Sequence, residues 1–363
     1  MPQLQSRRMG TLPSVCHRLG GQGIPETVLM DFDLFALGDV ALQSGQILPE
    51  ATLAYKTYGS PNADRSNVVL LPTFYTGTHV RNEAFFGPGR AVDPEKHFII
   101  SINMFGNGLS SSPSNTPAPA DRGNFPLVTL YDNVACQKKL LEDVFGIEKL
   151  LLVYGWSMGG CQTFQWSAQY PEHVQHALPF CASARTSPHN SVFLKGVKAA
   201  LTADAAFMDG FYDSPPEAGL KAFGRVYAGW AYSQTWYRER LHQTLGLETT
   251  EDVLLDWEQD HLNWDANNLL AMLESWLAGD ISNNDLHQND LAKALNSIRA
   301  KTIIIACDND LYFQPADNEL EVQHIQDGEL RVYESPWGHC VASSNNDPQF
   351  HSFLDQAITD LIG

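Results

Sequence analysis

The residues of this chain best suited to covalent chemistry lie in the run Gly155-Trp156-Ser157-Met158-Gly159. A serine hydroxyl is a poor nucleophile near neutral pH. It needs a base within hydrogen-bond reach, itself oriented by a carboxylate. The segment fits G-x-S-x-G, with the apolar run "LLLVYG" before it and a helical pattern from Met158 after it. That context is what the motif requires, because a strained strand-to-helix turn pushes the serine oxygen out of the sheet. The glycines are steric: a Cβ at either would collide as the chain reverses. The competing reading is a tight turn that merely needs small residues, and the flanking strand and helix favour the nucleophile.

An elbow of this type takes its partners in the chain order serine, acid, histidine. Of the twelve histidines, His324, His339 and His351 follow an acid after a late strand. His324 and His351 fall in helical stretches, whereas His339, in "ESPWGHC", falls in a loop at the carboxyl end of a strand. His339 is therefore the expected base. For the acid, "IIIACDNDLYFQP" offers Asp308 and Asp310. Asp308 is also suited to a backbone-bonding turn, and Asp310, placed further beyond the strand end, is favoured. Attack on a carbonyl puts charge on its oxygen, which calls for two backbone N–H donors. One is expected from Met158 at the positive end of its helix. The other is expected from Phe74, Tyr75 or Thr76, after the strand "VVLLPTFYTG".

Other chemistries find less support. The formal net charge of −19 argues against nucleic acid and anionic membranes, since phosphate binding needs a cationic surface. Six cysteines carry no C-x-x-C pair and no zinc spacing, which suits free thiols in a reducing compartment. His173 and His176 straddle a helix end and a strand start without further ligands nearby. No cofactor and no metal are expected. The N-terminal "MPQLQSRRMGTLPSVCHRLGG" lacks an apolar core after its arginines, so a signal peptide is not expected. No apolar run approaches the roughly 20 residues of a membrane helix. A cytoplasmic protein is expected, acting on a small-molecule ester or acyl donor, with a homodimer left open.

The elements that must position these residues follow from periodicity. The segment "LPEATLAYKTYG" alternates like a half-buried strand, whereas 67–77, 97–106, 150–155, 176–183 and 301–310 read as buried strands of a mostly parallel sheet. Helices are expected over 128–146 and 158–170, near 316–325, and from 347 onward. Strand–helix alternation of this kind indicates an α/β fold. It breaks between 187 and 297, where only helical patterns occur. The expected organisation is an N-terminal arm (1–33), a core (34–186 and 298–363) and an inserted helical cap (187–297), and caps over the carboxyl edge of a sheet commonly shape a pocket.

With these residues assembled, the chain resembles the homoserine O-acetyltransferase-like family of α/β-hydrolases from about residue 34 to its end. The blocks "TYG" (57–59), "TFYTGTH" (73–79), "GWSMGGCQ" (155–162), "DLYFQP" (310–315) and "WGH" (337–339) match family blocks in order. The resemblance implies that Tyr75 supplies the second oxyanion donor and that Asp310 is the acid. It also implies counterparts, in Arg225 and Tyr232, of the residues that bind the substrate carboxylate. An alternative for Arg225 is pairing with cap carboxylates.

The departures carry information too. The transferases have Gly and Met where this chain has Trp156 and Cys161. They follow the histidine with an aspartate for the homoserine ammonium, where this chain has Cys340, a side chain without an oxygen acceptor. The blocks "GLKAFGRVYAGWAYSQTWYRE" and "DANNLLAMLESWLAGDIS" are similar to a sub-branch of small-ester esterases. The expected function is hydrolysis of small carboxylic esters through an acyl-enzyme. The alternatives are O-acyl transfer from acetyl-CoA and, more remotely, a non-catalytic ligand-binding protein on the same fold.

Overall fold

A computed structural model describes residues 31–343 and 346–363. Most of the expected arm, and Cys16 with it, lies outside the described residues. The apolar runs form one eight-stranded sheet: β1 (Asp33–Ala41), β2 (Ile47–Tyr58), β3 (Val68–Pro72), β4 (Phe98–Ile102), β5 (Leu150–Trp156), β6 (Val174–Phe180), β7 (Lys301–Cys307) and β8 (Gly328–Tyr333). Their order is β1-β2-β4-β3-β5-β6-β7-β8. β2 pairs antiparallel with both β1 and β4, and every neighbour from β4 to β8 is parallel. Buried parallel strands are apolar on both faces, which is why β3 and β4 lack alternation.

Successive side chains of these strands feed two separate cores. Helices of eight or more residues are numbered α1 (Leu130–Phe145), α2 (Met158–Gln169), α3 (Pro188–Thr202), α4 (Glu217–Ala231), α5 (Thr250–His261), α6 (Ala266–Leu277), α7 (Pro315–Val322) and α8 (Pro348–Ile362). Val68, Leu70, Val153 and Ile304 pack with α1 on one face. Val69, Leu71, Leu152 and Ile305 pack with α8 and the cap on the other. α1 begins at a capping box between Thr129 and Asp132 and ends at Gly146, whose φ is 60°. Among the described residues no helix is long and apolar enough to cross a membrane.

Helices α3 to α6 form the insertion between β6 and β7. Its two ends meet in a bridge between Arg185 and Asp280, where Thr186 N donates to Gly279 O at 2.8 Å and Ile281 N to Ala184 O at 3.1 Å. The expected insertion, 187–297, begins just after this bridge and runs past it at its other end. Ile281, Ala294, Leu295 and Ile298 belong to the α1-side core of the sheet, because their apolar faces cover strand residues there.

The turn from β5 into α2 tolerates no extra carbon. A Cβ on Gly155 would stand 2.5 Å from Gly159 C, and one on Gly159 would stand 2.7 Å from Pro72 O. By contrast, a Cβ on Gly196, within α3, meets nothing within 4 Å. Gly155→Ala is therefore expected to destabilise the protein by about 1–3 kcal/mol or more through overpacking against backbone. Gly196→Ala is expected to be neutral or to stabilise by up to about 1 kcal/mol. Denaturant melts of the two variants check this, and equal effects would contradict it.

Candidate active site

Ser157 sits between the end of β5 and the start of α2 with φ 56° and ψ −127°. A non-glycine residue held there stores on the order of 1–3 kcal/mol of strain, which neighbouring structure must over-determine. The restraints are visible. Ser157 N donates to Phe180 O at 3.0 Å, and Cys161 N donates to Ser157 O at 2.9 Å. A Cβ on Gly160 would stand 2.5 Å from Ala182 Cβ, so α2 can press onto β6 only with glycine there.

Ser157 Oγ lies 3.0 Å from His339 Nε2, and His339 Nδ1 lies 2.7 Å from Asp310 Oδ2. The structure thus brings together the serine, histidine and acid expected from chain order. Asp310 is fully buried. Its other oxygen accepts from the backbone N–H groups of Tyr312 at 2.8 Å and Phe313 at 3.2 Å. Those two donors fix the orientation of the carboxylate toward His339. Asp308 instead accepts from Ser335 N at 2.9 Å and ties the end of β7 to the loop after β8. His324 follows α7, and His351 lies in α8 with its ring against Phe85.

The imidazole of His339 is held by rings on three sides. Trp156 stacks on it with centroids 5.4 Å apart, Tyr312 meets it edge-on at 4.7 Å, and Phe313 lies at 5.5 Å. Trp156 therefore does more than fill the elbow, since it also packs on Phe74 at 4.6 Å. It links the histidine to the loop after β3.

That loop carries Tyr75, and α2 opens with Met158; both residues are buried. Neither backbone N–H meets an acceptor among the described residues. For Met158 this follows from its place in the first turn of a helix, where N–H groups have no partner within the helix. Thr76, next in the loop, takes φ 55°. Gln162 of α2 donates to Thr73 O at 2.8 Å and accepts from Gln137 at 2.6 Å, coupling the elbow helix to the loop. The Tyr75 hydroxyl donates to Leu269 O in the cap at 3.2 Å. Burial, with Tyr227 nearby, pushes that phenol well above its ordinary pKa, so it stays a neutral donor.

A cavity of about 60 Å³ opens beside Ser157 and His339. Its core wall includes Phe74, Arg81 and Cys340, and its cap wall Tyr227, Trp257, His261 and Trp264. Sequence reasoning missed the cap wall. Trp257, Asp260, His261 and Trp264 follow an i, i+3, i+4, i+7 spacing, a one-face signal that could have identified them. Arg81 sits in a short turn with no such signal.

The two residues carried over for carboxylate binding are absent from this lining. Arg225 pairs with Glu251 at 2.8 Å and with Glu258, so cap carboxylates occupy its guanidinium. Tyr232 is buried against Trp236, ring centroids 3.8 Å apart, and near Trp337 ahead of the histidine. It braces the His339 loop. Burial pushes the Cys161 thiol, behind the elbow, up to about 12, which removes it as a competing nucleophile.

The different partners of Asp308 and Asp310 give a direct test. Asp310→Asn is expected to lower kcat by roughly 10⁴-fold, as loss of an orienting carboxylate does elsewhere. Asp308→Asn is expected to stay within about tenfold of the parent, because it changes only a turn hydrogen bond. Steady-state ester hydrolysis reads both, and comparable losses would contradict the assignment.

Comparisons with known proteins identify the family. Residues 67–345 match the family model described as the alpha/beta hydrolase fold. The ethyl acetate hydrolase of Pseudomonas veronii is 37% identical over 335 residues, 91% of this chain and 95% of that protein. The crystal structure of the acetyl esterase MekB superposes with a TM-score of 0.88 at 37% identity, covering 91% of this chain and 96% of that one. A homoserine O-acetyltransferase of Methanohalobium evestigatum is 31% identical over 340 residues, 83% of this chain and 68% of that protein. The chain belongs to the α/β-hydrolase fold family, in the branch that holds both ester hydrolases and homoserine O-acetyltransferases.

Proposed function

We propose that this protein hydrolyses short-chain carboxylic esters, acetyl esters foremost, through a covalent acyl-enzyme on Ser157. The observation that carries the reading is the Ser157–His339–Asp310 hydrogen-bond relay opening onto a small, ring-walled cavity. As Ser157 Oγ bonds to the ester carbon, its proton passes to His339 Nε2, and Asp310 stabilises the imidazolium. The carbonyl electron pair moves onto oxygen, and the Tyr75 and Met158 N–H groups hold that charge. Collapse of the adduct breaks the bond to the alcohol, which leaves with the proton from His339. Water, deprotonated by the same histidine, then releases the carboxylate and restores the serine.

The small cavity favours a short acyl group, and the ester-hydrolysing relatives share this preference in name. Five described cysteines are buried free thiols, which supports a cytoplasmic setting. Acetyl transfer to homoserine has less support. The positions that would clamp an amino acid are Arg225, held by two cap glutamates, Tyr232, packed in the cap, and Cys340, which offers no carboxylate. An unpaired ammonium buried beside Cys340 would be costly.

A 4-nitrophenyl ester series from acetate upward tests the reading, run with and without homoserine and acetyl-CoA. The expected result is highest kcat/KM for acetate, falling with chain length, with no O-acetylhomoserine formed at a comparable rate. Ser157→Ala is expected to lose about 10⁴-fold or more in kcat. Acetyl transfer to homoserine outpacing hydrolysis would overturn the reading.

A further inference from the structure

Two polar side chains on the cap wall of the cavity, Asp260 and His261, take no part in the acyl-transfer relay. His261 ends α5 and is 2% exposed, with the rings of Phe223, Tyr227 and Trp257 at 5.3, 5.8 and 5.6 Å. Its Nδ1 lies 2.9 Å from Trp257 O and 3.5 Å from Asp260 Oδ2. A carbonyl and a carboxylate only accept hydrogen bonds, so Nδ1 must carry the ring proton. Burial lowers the pKa of this imidazole and keeps the ring neutral. Nε2 is then left as a bare acceptor, buried and without a partner among the described residues.

The surroundings hold the ring in this state. A Cβ on Gly224 of α4 would stand 2.6 Å from Trp257 O and 3.1 Å from His261 Nδ1, so α4 seals that side of the imidazole. Asp260, the neighbouring polar group of the wall, also only accepts. A buried acceptor without a donor is unfavourable, and because His261 belongs to the cavity lining, a ligand entering there can bring the donor. An acetyl group has no O–H or N–H, so the donor must sit on the alcohol half of the ester. The Arg81 guanidinium, stacked over Phe74 at 4.8 Å on the opposite wall, repels a second cation. The Asp260 carboxylate beside His261 offsets that repulsion, and a neutral hydroxyl supplies the donor without burying a charge.

We propose that His261 is a specificity-determining residue whose Nε2 accepts a hydrogen bond from a hydroxyl on the alcohol half of the substrate. The preferred substrates are then short acyl esters of hydroxylated alcohols, such as monoesters of diols. This inference rests on the ester-hydrolase reading above.

The test compares kcat/KM for 2-hydroxyethyl acetate and propyl acetate, which differ by a hydroxyl in place of a methyl group. Each value is divided by the alkaline hydrolysis rate of the same ester, and 4-nitrophenyl acetate serves as a donor-free control. The parent enzyme is expected to favour the hydroxyl ester by about tenfold or more, the scale of one buried hydrogen bond. His261→Leu is expected to erase or invert that ratio, and His261→Gln, which restores an acceptor, to recover part of it. A ratio within one enzyme preparation is unaffected by the fraction folded. Parity or preference for propyl acetate in the parent would overturn the inference, as would a ratio unchanged in His261→Leu. Failure of the parent to hydrolyse 4-nitrophenyl acetate in a Ser157-dependent way would instead sink the ester-hydrolase reading, and this inference with it.

Discussion

The close approach of three backbone segments around Gly155, Gly159 and Gly160 is the constraint on which the remaining site geometry depends. With no Cβ at these positions, α2 can lie against the ends of β3 and β6 while the chain reverses within a few residues. Ser157 is then held at φ 56°, a conformation it would abandon without those contacts. The same reversal aims the first turn of α2, and so the Met158 amide, at the space above the sheet. The proposed nucleophile and one proposed oxyanion donor therefore come from one packing decision.

Aromatic side chains extend that decision to the other partners. Trp156, fixed by the elbow, stacks on His339 and packs on Phe74, so the base and the loop bearing Tyr75 share one neighbour. From the cap, Tyr232 packs near Trp337 ahead of the histidine, and Leu269 O receives the Tyr75 hydroxyl. Preorganised donors of this kind need no rearrangement when charge develops. The cap both roofs the cavity and steadies the loops beneath it.

What was legible in the sequence was governed by local rules. Glycine spacing, strand ends and chain order pointed to Ser157, Asp310 and His339, and those side chains lie within hydrogen-bond reach of one another. The parallel sheet was legible because buried strands leave continuous apolar runs. Inside the cap, local rules ran out. Arg225 lies on a helix whose orientation depends on tertiary packing, and only the fold reveals that its guanidinium faces Glu251 and Glu258. Ala294 and Leu295 pack in the α1-side core, a contact that sequence alone does not distinguish from packing within a cap helix. His261 carried a helical-face signal, but which face looks into the cavity is a property of the assembled domain.

The proposed reaction passes through a covalent acyl-enzyme on Ser157. Acid quenching during turnover of 4-nitrophenyl acetate, followed by peptide mass spectrometry, tests it most directly. The expected result is an added acetyl mass on the peptide containing Ser157, absent in Ser157→Ala and accumulating in the same time as the burst of nitrophenol. Turnover with no acetylated peptide, or acetyl on a different side chain that persists in Ser157→Ala, would contradict it.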